Sequence, residues 1–114
     1  MRPLVYVAGP ITVPEPMENT HRALAIGAQL LDSGHVVPFV PHLTCLWNIV
    51  TPRPYEEWMH FDFDMIHHCD ALLRIPGESN GADREAALAD ELDIPVFYEV
   101  DDVIDWATNG WAAR

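Results

Sequence analysis

The chain has 114 residues, 49% of them hydrophobic and 21% charged, which is enough for one modest globular core. Its formal net charge is −12, and this argues against binding duplex nucleic acid, which normally requires a basic surface. One small phosphorylated ligand stays compatible with that charge, because a few backbone N–H groups and a single arginine can hold a phosphate. We therefore expect a single domain over residues 1–114, with no nucleic-acid polymer as partner.

The hydrophobic pattern predicts strands and helices in strict alternation along the chain. The predicted strands are short apolar runs at 3–8, 35–40, 70–75 and 95–99. The predicted helices have a 3.6-residue apolar period and lie at about 19–34, 54–68, 82–92 and 101–107. The prolines in residues 41–54 predict an irregular segment there. The alternation predicts an α/β fold, a three-layer sandwich with a parallel sheet of four to five strands that is flavodoxin- or Rossmann-like.

Two finer predictions concern the ends of these elements. Asn19 or Thr20 can cap the first helix, and Gly34 can close it. Pro38 cannot donate a backbone hydrogen bond, which indicates that the second strand lies at an edge of the sheet.

The cysteines and the apolar runs bear on the cellular compartment. No apolar run approaches the roughly 20 residues that span a bilayer, and the N-terminus lacks a signal-peptide pattern. Cys45 and Cys69 have neither CxxC nor metal-ligand spacing, which favours reduced thiols. We expect a cytoplasmic protein without a membrane partner.

Two acidic residues lie on the apolar faces of predicted helices. Glu85 lies shortly after the C-terminal end of a predicted strand. It begins an apolar stripe that continues at helical spacing to Leu92. Asp62 falls inside a second apolar stripe, whereas Asp64 falls outside it and should be solvated. A buried carboxylate is costly unless something compensates for it. Two inward-facing acids are typical of glycosyl chemistry, in which one attacks or stabilises the anomeric carbon and the other moves a proton.

A purely structural role is the alternative for each acid. Either one could cap a helix or pair with an arginine, the candidates being Arg22, Arg53 and Arg74. The adjacent His67 and His68 diverge by about 100° on a helix, so we expect no metal, and we expect no cofactor.

Three motifs in order resemble a known enzyme superfamily. They are Val5-Tyr6-Val7-Ala8-Gly9-Pro10, Asp62-x-x-x-Ile66-x-x-x-Asp70 and Ser79-x-Gly81-x-x-x-Glu85. The first resembles the opening strand and loop of the nucleoside 2-deoxyribosyltransferase superfamily, the second its helix-to-strand segment and the third its nucleophile motif. Over roughly residues 3–98 the chain is most similar to the small DUF4406-like branch.

The resemblance implies a role for each matching catalytic residue. Glu85 would be the nucleophile on C1′ of a ribose or deoxyribose, and Asp62 an acid or hydrogen-bond partner on the side of the base. Tyr6 would be an orienting hydroxyl near the sugar, with core packing as its structural alternative. A carboxylate close to a helix N-terminus is kept ionised by the helix dipole, which suits a nucleophile.

The same resemblance gives candidate substrate-binding residues, namely Gly9, Pro10, Arg22, Trp47, Ser79 and Gly81. Members that use nucleosides tend to carry an acid where this chain has Ser79, and members that hydrolyse 5′-monophosphates tend to have serine. Serine beside a helix N-terminus can hold a phosphate, although it also serves as a plain N-cap. Arg22 is a second candidate phosphate contact or a solvated surface residue, and Trp47 could stack a base or pack against a subunit.

These features predict an N-glycosidase or N-deoxyribosyltransferase acting on a nucleoside 5′-monophosphate or a nucleoside. The covalent intermediate would be released by water in a hydrolase or by a second base in a transferase, and the sequence leaves both open. The superfamily completes its sites with a neighbouring chain, which implies a homodimer or larger homo-oligomer. The alternatives are a non-catalytic nucleotide-binding module of the same fold and a structural protein without a crevice.

Overall fold

The computed structural model describes residues 1–112 and contains four parallel strands in the order β2-β1-β3-β4. The strands are β1 (Leu4–Ala8), β2 (Val37–Phe39), β3 (Ala71–Arg74) and β4 (Val96–Phe97). The helices are α1 (Pro16–Asp32), α2 (Thr44–Val50), α3 (Tyr55–His67), α4 (Asn80–Glu91) and α5 (Val100–Asn109), and a 3₁₀ turn at Pro41–Leu43 precedes α2. The predicted α/β class and parallel sheet are confirmed.

Side chains of the central strand β1 alternate between two apolar layers. Val5 and Val7 pack with α1 and α5 on one face of the sheet. Tyr6 and Ala8 pack with α3 and α4 on the other face. Since the residues of both layers are buried, the hydrophobic effect holds helices against both faces, which produces the predicted three-layer sandwich.

The strand order places a crevice at the C-terminal ends of β1 and β3. β1 pairs with β2 on one side and with β3 on the other, so the chain changes direction across the sheet between β1 and β3. The loops that follow these two strands therefore separate toward opposite faces. Their carboxyl ends form the natural position for a ligand in an open α/β sheet.

The segment predicted to be irregular contains a helix. Prolines bound it at positions 41 and 52, and the residues between them form the two turns of α2. The prolines end this helix without preventing it, because Pro41 lies before its first turn and Pro52 beyond its last residue.

The first helix begins earlier than predicted. Glu15 caps it by accepting a hydrogen bond from the Glu18 N–H at 2.8 Å, so neither Asn19 nor Thr20 is the cap. Asn19 is buried instead, and its amide donates to the carbonyls of Ile11 and Val13 at 3.1 and 3.0 Å. It thereby holds the loop between β1 and α1.

Three smaller predictions are decided by exposure and pairing. The strand that contains Pro38 pairs only with β1, so its edge position is confirmed. Asp64 is exposed, as expected, whereas Leu92 is 36% exposed because it lies beyond the last residue of α4. None of the helices within residues 1–112 combines the length and the apolar character needed to cross a bilayer.

Candidate active site

A cleft of about 750 Å³ lies at the C-terminal ends of β1 and β3. Its walls come from the loop after β1, from α2, from the first half of α3 and from the start of α4. Asp62 of α3 and Glu85 of α4 both line it, although only 3% of Asp62 and 4% of Glu85 is exposed. The structure therefore brings the two predicted inward-facing acids into one cavity.

Tyr6 reaches Glu85 from beneath the cleft. The Tyr6 side chain is fully buried in β1, and its hydroxyl donates a hydrogen bond to Glu85 Oε2. Tyr6 is not among the residues that line the cavity, so its phenol lies beneath the crevice and does not project over it. Its position in the sheet directs the phenol toward the carboxylate, where it can orient Glu85 but not cover a sugar.

Burial raises the pKa values of both acids, and the charge of Asp62 raises that of Glu85 further. Burial is the largest cause of a Glu85 pKa of about 8; the Asp62 charge adds to it, while the Tyr6 hydrogen bond and the Arg74 charge oppose it. Burial likewise raises the pKa of Asp62 to about 6, against hydrogen bonding with Glu85 and Tyr6. Between about pH 6 and 8 the pair therefore holds one proton, a condition typical of paired catalytic carboxylates.

The helix dipole does not keep Glu85 ionised, contrary to expectation. Glu85 lies in the second turn of α4, and the influence of the dipole falls off within the first turn. Desolvation therefore dominates, and it raises the pKa of this carboxyl instead of lowering it.

Neither inward-facing acid forms a salt bridge within residues 1–112, and Asp62 Oδ1 has no hydrogen-bond partner there. The arginines considered as their partners bind elsewhere. Arg74 pairs with Asp83 at 2.8 Å, and Arg53 pairs with Glu57 at 3.3 Å. The arginine pairing that the structural alternative predicts for these acids is therefore absent within residues 1–112.

The start of α4 forms one wall of the cleft. Ser79 caps the helix, since its hydroxyl accepts a hydrogen bond from the Ala82 N–H at 3.0 Å, as predicted. A Cβ on Gly81 would lie 3.0 Å from Tyr55 Oη, and one on Gly9 would lie 2.9 Å from Ile75 Cβ. Both glycines therefore allow elements around the cleft to approach more closely than another residue would.

Two buried residues, His42 and Arg74, support the loops of the site in roles that sequence reasoning missed. His42 is 1% exposed, and its Nε2 donates a hydrogen bond to the Pro10 carbonyl at 2.9 Å. Burial lowers the pKa of His42, which favours the neutral imidazole. Arg74 donates to the Gly77 carbonyl at 3.0 Å besides binding Asp83. The sequence offered no signal for His42, which lies outside any periodic pattern. For Arg74 the only signal was a charged residue within an apolar strand.

Two predicted substrate-binding residues lie outside the main cleft. Arg22 is exposed and donates to the Pro76 carbonyl at 3.1 Å; it lines a smaller neighbouring cavity of about 460 Å³ with Gly77 and Glu78. Trp47 packs edge-on against Trp58, with ring centroids 5.3 Å apart, and does not line the cleft. Trp58 is the tryptophan that faces the cavity.

Residues 1–112 contain no group of three or more histidine, cysteine, aspartate or glutamate side chains that could hold a metal ion. Among the side chains that line the cleft, Glu85 and Asp62 are the two buried carboxyl groups.

Comparison with known proteins identifies the family of the chain. A model described as a domain of unknown function (DUF4406) matches residues 3–98, which include every element from β1 to β4. A comparison with curated proteins finds no significant match. Because the family model spans most of the sequence, the chain belongs to the DUF4406 family.

Proposed function

We propose that this protein cleaves the base–sugar bond of a nucleoside 5′-monophosphate or a nucleoside, as an N-glycosidase or an N-deoxyribosyltransferase. The observation that carries the proposal is the pair of buried carboxyl groups, Glu85 and Asp62, that shares one cleft without salt-bridge partners among residues 1–112. The resemblance of three motifs to the nucleoside 2-deoxyribosyltransferase superfamily supports the same reaction.

In the proposed reaction, a Glu85 carboxylate oxygen attacks C1′ as the bond between C1′ and the base nitrogen breaks. Asp62 donates its proton to the departing base, which leaves neutral. The resulting glycosyl ester is then attacked at C1′ by water or by a ring nitrogen of a second base. In either case the bond between C1′ and Glu85 breaks and the nucleophile loses a proton to Asp62. Water gives a hydrolase and a base gives a transferase.

The reactive protonation state requires one proton on the pair. Glu85 must be ionised to attack, and Asp62 must be protonated to act as an acid. Because Glu85 has the higher pKa, the shared proton lies mainly on Glu85 in the free protein and must pass to Asp62 before the attack. The Tyr6 hydroxyl donates to Glu85 Oε2 and so favours the ionised form of the nucleophile. Tyr6 therefore acts as a positioning residue for Glu85.

The start of α4 can accept the phosphate of a monophosphate substrate. Ser79, Asn80 and Gly81 all line the cleft at a helix N-terminus, where N–H groups and the dipole favour an anion. Arg22 lies in the adjoining cavity, which shares Pro10 and Glu78 with the cleft, and could extend the subsite. We assign the base to the opposite wall, near Trp58 and Asp62.

We propose that the protein is cytoplasmic and that its partner is a second copy of the chain. The outer side of α2 exposes large apolar side chains next to the cleft, among them Leu46 at 66% and Val50 at 82%. Such contiguous apolar residues at the mouth of a site are typical of an interaction surface. Sedimentation at micromolar concentration measures the oligomeric state directly.

The test of the reaction is a chromatographic assay for free base. Wild-type protein and Glu85→Gln are incubated with nucleosides and their 5′-monophosphates, with and without an acceptor base. We expect base release by the wild type and a loss of at least about 10³-fold in the variant, because Gln cannot attack C1′. Asp64→Asn changes an exposed acid of α3 and serves as the matched control.

The assay also separates the alternatives. Release without an acceptor indicates a hydrolase, and exchange that requires one indicates a transferase. If the folded wild-type protein binds a monophosphate but releases no base, the non-catalytic nucleotide-binding module is correct and the enzymatic proposal is overturned.

A further inference from the structure

Asn48 of α2 has an amide orientation that its neighbours fix. Its Oδ1 accepts two hydrogen bonds at 2.8 Å, one from the Arg53 backbone N–H and one from the Trp58 indole Nε1. Both partners are obligate donors, so they can bind only the carbonyl end of the amide. The Nδ2 group must therefore occupy the other end.

That Nδ2 group is the free end of the side chain. Its two N–H donors have no hydrogen-bond partner among residues 1–112, and Asn48 lines the cleft. A ligand in the cleft thus meets a donor held in one orientation. A donor fixed in advance loses little entropy on binding, and it discriminates strongly against a ligand that presents another donor.

Asn48 lies on the same side of the cleft as Asp62. Its partner Trp58 precedes Asp62 by one helical turn on α3, and both of these residues line the cavity. Cys45 precedes Asn48 by one turn on α2 and is close enough to Asp62 to interact with its charge. Since a helical turn rises about 5.4 Å, the acid and the amide are neighbours on one wall.

We propose that Asn48 selects a leaving base with a carbonyl oxygen over one with an amino group at the same position. This inference rests on the proposed function, because it takes the protonated Asp62 as the donor to a ring nitrogen of that base. The neighbouring Nδ2 then donates to the adjacent carbonyl oxygen. An oxopurine presents two adjacent acceptors on such an edge, whereas an aminopurine presents an acceptor and a donor.

The preference should be visible as a ratio of two rates. Hypoxanthine and adenine deoxynucleoside 5′-monophosphates differ at this edge only in that substituent, because N7 is an acceptor in both. We expect kcat/KM to favour the hypoxanthine compound by about 10-fold or more, a factor that corresponds to about 1.4 kcal/mol.

Asn48→Asp is the variant that tests the donor. The carboxylate keeps an oxygen for the Arg53 N–H and the Trp58 indole, but replaces the NH₂ donor by an acceptor. The oxo-to-amino ratio should fall by at least about 10-fold or invert. Asn109→Asp adds the same charge at an exposed position on α5 and should leave the ratio unchanged.

Binding of the same two compounds to Glu85→Gln by calorimetry provides a readout that does not require turnover. An oxo preference in binding that Asn48→Asp removes, without base release by the wild type, supports the inference and overturns the enzymatic proposal. Base release with equal rates for the two compounds, or a ratio that Asn48→Asp leaves unchanged, overturns the inference alone. If the compounds are neither bound nor cleaved, both the inference and the enzymatic proposal are overturned.

Discussion

At Glu85, burial and hydrogen bonding act in opposite directions on the same proton. Burial in the floor of the cleft raises the pKa to about 8, whereas the Tyr6 hydroxyl and the Arg74 charge favour the carboxylate. The nucleophile is therefore held close to its point of ionisation near neutral pH. A carboxylate without a salt-bridge partner is more nucleophilic than one whose charge is neutralised by an arginine or lysine.

Tyr6→Phe tests the orienting role of the phenol. The variant removes the hydrogen bond to Glu85 Oε2 while leaving a ring of almost the same size in the core. We expect the acidic limb of the kcat/KM profile, which reports ionisation of Glu85, to move to higher pH. The maximal rate should fall about 10-fold or more, since a hydrogen bond to a charged group contributes roughly 1.5–3 kcal/mol.

The pH profile of base release measures both effects of Tyr6→Phe. Tyr98→Phe removes the same hydroxyl from an exposed tyrosine, and its profile should match that of the wild type. A Tyr6→Phe profile with unchanged limbs would mean that the phenol contributes packing alone.

Periodicity determined which residues of the site the sequence could predict. Asp62 and Glu85 interrupt apolar stripes at helical spacing, so their burial could be inferred without a structure. His42 and Asn48 act through partners that lie 32 and 10 residues away in the sequence, and neither belongs to an apolar stripe. Their roles depend on how loops meet in space, which local pattern does not encode.

At the scale of the elements, α4 combines two roles at its N-terminus. Ser79 caps the helix, and the same turn lines the cleft where we assign the phosphate. The resemblance to monophosphate-hydrolysing proteins also depends on this serine. Aspartate caps a helix as serine does, but its charge repels a phosphate. A substitution at Ser79 can therefore separate helix capping from phosphate binding.

Ser79→Asp and Ser79→Ala make this separation. Aspartate still accepts the Ala82 N–H bond, so stability should be retained, whereas alanine should lower the free energy of unfolding by about 1 kcal/mol. The added charge of aspartate should raise the KM of a 5′-monophosphate at least about 10-fold relative to its nucleoside. Urea unfolding and steady-state kinetics of both substrates measure the two effects. Equal changes for both substrates would place the phosphate elsewhere.

The helix α2 shows where reasoning from sequence about elements reaches its limit. Strands buried on both faces and helices with long apolar stripes were predicted to within a few residues, because burial imposes a period on them. α2 has no fully buried residue and only two turns, so it carries no such period. Tertiary contacts, including the Asn48–Trp58 hydrogen bond, hold it in place.

At the scale of the whole molecule, the two buried acids make stability depend on pH. Glu85 has a pKa of about 8 against a usual 4.5, and Asp62 about 6 against 3.8. Folding therefore favours the protonated form of each group. The resulting stability is complete below about pH 4 and is lost as the pH rises through 6 for Asp62 and 8 for Glu85.

We therefore expect the free energy of unfolding to fall between pH 4.5 and 8, by up to about 1.4 kcal/mol per pH unit for each group that stays protonated in the folded protein while it is ionised in the unfolded chain. Glu85→Gln removes the larger of the two shifts, and it should flatten the profile above pH 6 and stabilise the protein at pH 8. Urea unfolding at half-unit steps of pH measures the slope. Asp64→Asn changes an exposed acid on the same helix as Asp62 and should keep the wild-type slope. An equally steep profile in Glu85→Gln would show that Glu85 is ionised in the folded protein throughout this range, and its raised pKa of about 8 would then be wrong.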